Sequence, residues 1–156
     1  MAGLLRGLLV GLAAGAAGTT ALNTATYVDM VVRARPASRT PETSVERLAE
    51  TLGAEIPGDE EQRSNRIAGL GPMLGIAAGL GVGALVGVAR AAGIRSGAVT
   101  GTLLTTAVVL VASNGPMTVL KVTDPRTWSA TDWISDLLPH LAYGVVTHAT
   151  AVAADR

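Results

Sequence analysis

At 156 residues the chain has the length of one domain, and its 15% charged residues fall well short of the about 25% usual for a soluble domain, so composition points to lipid. Twelve basic residues balance twelve acidic ones, which leaves no overall pull towards nucleic acid. Cysteine is absent, excluding disulfides, iron–sulfur clusters and thiolate zinc sites.

The first element opens with a single basic residue, Arg6, followed by Gly7–Val28 without a charge. Those residues span about 33 Å as a helix, enough for a hydrocarbon core of about 30 Å. A basic start and the small residues AAGAAG also have the look of a secretory signal. The apolar run continues past any plausible cleavage site, so a retained membrane helix over 3–32 is expected. Gly7, Gly11 and Gly15 recur every four residues and offer a groove to a neighbouring helix. Beyond them the helix turns polar through Thr19, Thr20, Asn23, Thr24, Thr26, Tyr27 and Asp29. Either these groups bond to carbonyls one turn back and to neighbours, or they form a polar track with Asp29 at its mouth, where it can pair with Arg33.

The section 33–66 is the only long polar one. Arg33, Arg35 and Arg39 follow the first helix, suited to lipid phosphates. Thr40-Pro41-Glu42 reads as a helix start with a hydroxyl cap, and Gly53 as its stop. Val45, Leu48, Ala49 and Leu52 share one face of this short amphipathic helix. It is expected to lie on the membrane surface or to cap the bundle. Pro57-Gly58 turns the chain, and Asp59-Glu60-Glu61 begins a long helix over 59–92.

Its core, 67–89, carries no charge and places Gly71, Gly75, Gly79, Gly83 and Gly87 at strict four-residue spacing. In water each interior glycine costs a helix about 1 kcal/mol relative to alanine. In a bilayer an unpaired backbone is worse, so the segment is helical and its bare face admits another backbone. Gly71-Pro72 is a potential kink. A five-glycine face also exceeds the needs of one neighbour, which opens self-association or docking onto a larger membrane complex.

A tight connection, 90–95, returns the chain antiparallel into an uncharged third span within 97–120, made mildly polar by Thr100, Thr102, Thr105 and Thr106. Asn114-Gly115-Pro116 reads as a strong breaker that either ends this helix or interrupts it in the bilayer. A loop containing Asp124-Pro125 and the interface anchor Trp128 leads to a last helix over 130–153, capped by Ser129 or Thr131 and entered at Trp133.

The expected architecture is all-α: a four-transmembrane-helix bundle with glycine-zipper packing and a short amphipathic helix in the polar loop 33–58, forming one membrane domain. Basic residues flanking the spans number eight on the side of loop 33–66 (Arg33, Arg35, Arg39, Arg47, Arg63, Arg66, Lys121, Arg126) and four on the other (Arg6, Arg90, Arg95, Arg156). That bias places the long loop in the cytoplasm and both termini outside, in a bacterial plasma membrane.

The chemistry-bearing residues gather on the last helix, where Asp132, Asp136, His140, Gly144 and His148 recur every four residues. Asp136 and His140 are one turn apart and can form an acid–imidazole pair. Such a pair locks helices, relays protons, or supplies two metal ligands with others from Asp29 or Asn114. The candidate polar track is therefore Asn23, Asp29, Asn114, Asp136 and His140. No hydrolase, phosphate-loop or dinucleotide motif is present, and the glycine row follows no strand. The expected function is thus non-enzymatic, without a cofactor. Its partners are the lipid bilayer and either a larger membrane protein complex or a second copy of the chain. The alternative is a small transporter or channel.

The segments GAAGTTALN, TYVDM, RPASRTPE, GLGPMLG, SNGPMTVLKVTDPRTWS and PHLAYG are scattered over most of the chain. Together they resemble a group of small, uncharacterised four-helix integral membrane proteins of actinobacteria. The element His140-x-x-Tyr143-Gly144 also resembles the end of other bacterial four-helix membrane families. This resemblance implies a four-helix membrane fold in a bacterial envelope and brings no catalytic residues.

Overall fold

The computed structural model describes residues 1–154; Arg156, counted in the charge balance, lies outside them. Five α-helices follow one another: α1 (Ala2–Arg33), α2 (Thr40–Leu52), α3 (Glu60–Ala91), α4 (Ala98–Val119) and α5 (Ala130–Ala153). A single 3-10 turn at Pro125–Thr127 precedes α5, and the described residues contain no strand.

Local chemistry sets the helix ends. Asp59 accepts from the Gln62 N–H at 2.8 Å and starts α3. Ser129 and Asp132 form a reciprocal capping box at the start of α5. At α2 the expected cap moves: Thr40 is already helical, and the Ser38 hydroxyl accepts from the Thr40 N–H at 3.2 Å instead. Gly53 ends α2 in the left-handed conformation, φ 62°. In the loop before α5 the Arg126 guanidinium and N–H hold the Asp124 carboxyl below the usual carboxylate range.

Packing is organised by α1 against α3, with α5 against both α1 and α4 and α2 against α3. The α1–α3 pair runs antiparallel, facing Gly7 with Gly87, Gly11 with Gly83 and Gly15 with Gly79. A Cβ added at Gly15 would sit 2.6 Å from the Gly79 carbonyl oxygen, and one at Gly7 2.7 Å from that of Gly87. Gly83 and Gly87 likewise face the carbonyls of Gly11 and Gly7. Gly7, Gly11, Gly15, Gly83 and Gly87 each turn a Cα–H towards a carbonyl across the seam, where any side chain would push the backbones apart, while Gly79 faces the Thr19 side chain. Gly71 meets Pro41 and Glu42 of α2, so α2 caps this part of α3. Gly75 departs from the expected packing row: nothing lies within 4 Å of the place its Cβ would take. The chain uses its glycine row in two pieces, one for α1 and one for α2, with Gly75 in the gap.

Three helices, α1, α3 and α4, are long enough and apolar enough to cross a membrane. They mark the chain as a membrane protein, and Leu5, Leu9, Leu103, Leu104 and Val111 stand exposed along them as lipid-facing residues would. The expected fourth span is corrected in part. The expected helix is present as α5, but Asp132, Asp136, His140 and His148 interrupt its apolar run, and among the described residues it is not apolar enough to qualify as a span. The expected break at Asn114-Gly115-Pro116 is also absent, since α4 continues through it to Val119. Pro116 falls in the last turn, Asn114 donates to Asp136 of α5, and Ser113 is hydrogen-bonded to His140. Those bonds favour a continued helix over a break.

The seam makes a discriminating prediction. Gly83→Leu forces two backbones apart and should cost about 3 kcal/mol or more, whereas Gly75→Leu, which enters open space, should leave the stability of the purified protein unchanged. Thermal unfolding in detergent, read by far-UV circular dichroism, separates the two. Equal melting temperatures for both variants would mean that the seam does not hold the fold.

Candidate functional site

The helices α4 and α5 pair antiparallel, and their contact is polar or small at nearly every level. Asn114 lies opposite Asp136, Ser113 opposite His140, Thr106 opposite Gly144 and Gly101 opposite His148. The four-residue spacing on α5 brings these groups onto the face turned to α4, drifting slowly around the helix.

At the centre of this contact, Asn114 Nδ2 donates to Asp136 Oδ2 at 2.9 Å. The His140 Nδ1 lies 2.7 Å from the Asp136 backbone oxygen and 3.4 Å from its carboxylate Oδ1. On the other side of the ring, Nε2 lies 3.0 Å from Ser113 Oγ, which is itself 2.9 Å from the Val109 carbonyl. A carbonyl can only accept, so the Nδ1 contact places a hydrogen on Nδ1. The side chains of His140 and Asp136 are 12% and 18% exposed, so this cluster lies largely out of water.

Asp29 does not join this cluster. It receives Arg33 Nε and Nη2 at 2.6 Å each and Arg35 Nε at 2.6 Å. Arg33 Nη2 also reaches Ser135 Oγ on α5 at 2.5 Å. Asp29 thus holds both arginines that the sequence offered to lipid phosphates, and the group ties the end of α1 to the start of α5. Asn23, like Asp29, belongs to α1 and lies off the α4–α5 seam. The hydroxyls of Thr19, Thr20, Thr24 and Thr26 donate to carbonyls one turn back at 2.8–3.0 Å, as do Thr105 and Thr106 on α4. Of the candidate track, the structure gathers Asn114, Asp136 and His140 and leaves Asn23 and Asp29 apart. No group of three His, Asp or Glu side chains arranged to hold a metal occurs among the described residues.

Two residues gain a role that the sequence did not assign. Tyr143 is fully buried against Val82 and Val109, and its hydroxyl donates to the Gly79 carbonyl at 2.6 Å. It bonds α5 to α3 at the glycine seam. Its signal in the sequence was scarcity, as one of two tyrosines in the chain. His148 is 4% exposed and lays its ring on Gly101, beside buried Arg90. No protein-family model, curated protein or solved structure matches this chain.

Tyr143 is the residue on which this site rests for its shape. Tyr143→Phe keeps the ring and loses one hydrogen bond, at about 1 kcal/mol, while Tyr143→Ala should cost about 3–5 kcal/mol through the cavity it opens. Denaturant titration in mixed micelles measures both, and equal losses for the two variants would show that the ring does not carry the packing.

Proposed function

We propose that this is a multi-pass protein of the bacterial plasma membrane, with α5 crossing beside α1, α3 and α4 as the fourth span of a glycine-zipper bundle. It works without catalysis, as an accessory or assembly subunit of a larger membrane complex or as a small homo-oligomer. Supporting the fourth span, α5 has 24 residues, about 36 Å of helix, and packs against α1 along its length. Arg33 bonds to Ser135 at one end, and Arg6 donates to the Ala154 carbonyl at the other, 3.1 Å away. Its Asp136 and His140 turn towards α4, where they meet Asn114 and Ser113.

The observation that carries the assembly reading is Gly75. It is a glycine in an apolar helix that opens to space between two packed neighbours, with Met73, Leu74 and Ile76 exposed around it. Interior glycine weakens a helix unless something approaches closely, and among the described residues nothing lies within 4 Å of the place a Gly75 Cβ would take.

Gentle-detergent purification from the native membrane with mass spectrometry tests the reading. A stoichiometric membrane protein, or a defined homo-oligomer, is expected from the wild type and should be lost in Gly75→Leu, although that variant stays folded. A wild type that runs as a lone monomer, with Gly75→Leu identical to it, overturns the assembly role. The loop 33–66 is assigned to the cytoplasm. Because the chain has no cysteine, a single Glu55→Cys label reports sidedness directly. Protection from an impermeant maleimide in intact cells is expected, and labelling there would reverse the orientation.

A second reading, a small transporter or channel for protons or ions, is favoured by the Ser113–His140–Asp136–Asn114 cluster. Asp136→Asn and His140→Ala should then abolish a flux while the fold survives.

A further inference from the structure

We infer that the end of the bundle where α3 turns into α4 carries a seat for a phosphate group, formed by the first N–H groups of α4 together with Arg90 and His148. This site is separate from the Asp136–His140 cluster, and it depends on neither the assembly nor the transporter reading.

The start of α4 supplies the first part. The helix begins after Gly97 with no side-chain cap and no acidic residue in its first turn. The Gly101 N–H bonds to the Gly97 carbonyl at 2.8 Å, which leaves the N–H groups of Ala98, Val99 and Thr100 without an acceptor inside the helix. With the helix dipole behind them, such groups favour an anion. There is room for one, since nothing among the described residues lies within 4 Å of the place a Gly97 Cβ would take. The end of α3 makes no such demand. Its Val88, Ala89 and Arg90 carbonyls accept from the N–H groups of Ala92, Ile94 and Gly93.

His148 is the independent observation that points to a ligand. The residue is 4% exposed and its ring lies on Gly101, with Nε2 2.5 Å from the place a Gly101 Cβ would take. Gly97 and Gly101 are four apart, so the ring lies on the face of α4 that carries the open helix start. Its Nε2 is buried, yet meets no hydrogen-bond partner among the described residues. A buried polar atom in that state calls for a bound water or ion.

Charge decides what kind of ligand. Arg90, in the last turn of α3, is 9% exposed and close enough for its charge to act on His148. No Asp or Glu occurs in 1–28, 62–123 or 137–154, the stretches that build this end of the bundle, whereas Arg6, Arg90 and Arg95 do. A guanidinium buried in an apolar bundle is stabilised by an anion beside it. A phosphate group offers several acceptor oxygens, enough for a two-pronged bond from Arg90, an Nε2–H of His148 and the N–H groups of α4 at once.

The chain has two histidines, which makes the test simple to read. The purified full chain, with 15N-labelled histidine in maltoside micelles, is titrated with inorganic phosphate in place of sodium chloride at constant pH and ionic strength. The His148 ring signals should shift and saturate, while those of His140 stay still. Arg90→Gln should weaken the apparent affinity by about tenfold or more. Gly97→Asp places a carboxylate at the helix start, where the backbone is extended (φ −64°, ψ 166°) and suits a capping side chain. That variant should melt at a higher temperature without phosphate and should no longer respond to it.

Histidine signals that ignore phosphate, or that move together, overturn the seat. So does a folded Gly97→Asp protein that responds as the wild type does. Nanodiscs of phosphatidylcholine then separate the two sources of the group. A His148 signal already at its phosphate-bound position, and insensitive to added phosphate, assigns the seat to a lipid headgroup. A signal that still titrates assigns it to the soluble ion.

Discussion

The structure depends on two backbones that touch. Where α1 and α3 cross, glycines occupy both sides, and carbonyl oxygens stand where side chains would otherwise be. In lipid, neighbouring tails are as apolar as leucine, so burying apolar surface gives helices little reason to associate. Close contact and weak Cα–H···O bonds supply it instead. Everything else in the bundle is placed relative to that pair: α2 sits on its far end at Gly71, and α5 lies across it with Tyr143 bonded to Gly79.

The remaining helices associate by a different chemistry. The α4–α5 contact trades glycine pairs for hydroxyls, an amide, a carboxylate and two imidazoles. Polar pairs inside a membrane hold helices together, but they also keep water and protons within reach. The α4–α5 seam therefore holds titratable groups at successive levels, at Asp136, His140 and His148.

Much of the fold was legible in the sequence, because its elements are long and their ends carry plain chemistry. The uncharged run from Gly7 and the run to Ala89 read directly as α1 and α3, and Asp59, Ser129 and Gly53 stand at helix ends. Pairing was less legible. Periodicity placed Gly75 with its four companions, since spacing along one helix says nothing of where a partner diverges. Asn114-Gly115-Pro116 read as a break because local propensity cannot foresee that two neighbouring side chains will be held by α5. Asp136 and His140 were visible as a pair by spacing alone. Ser113 and the buried seat of His148 on Gly101 depend on the register of α4 against α5, which no local pattern encodes.

The contact between the first helix and the last has a consequence for how the protein is made. Gly18 meets Thr147 and Tyr143, Arg33 meets Ser135 at the start of α5, and Arg6 reaches Ala154. During synthesis α1 enters the bilayer long before its partner has been translated. It must wait beside α3 with a polar flank uncovered until α5 has been made. Assembly of this bundle thus includes a closing step, and a chain cut short before α5 would present to membrane quality control the surface that α5 covers in the folded bundle.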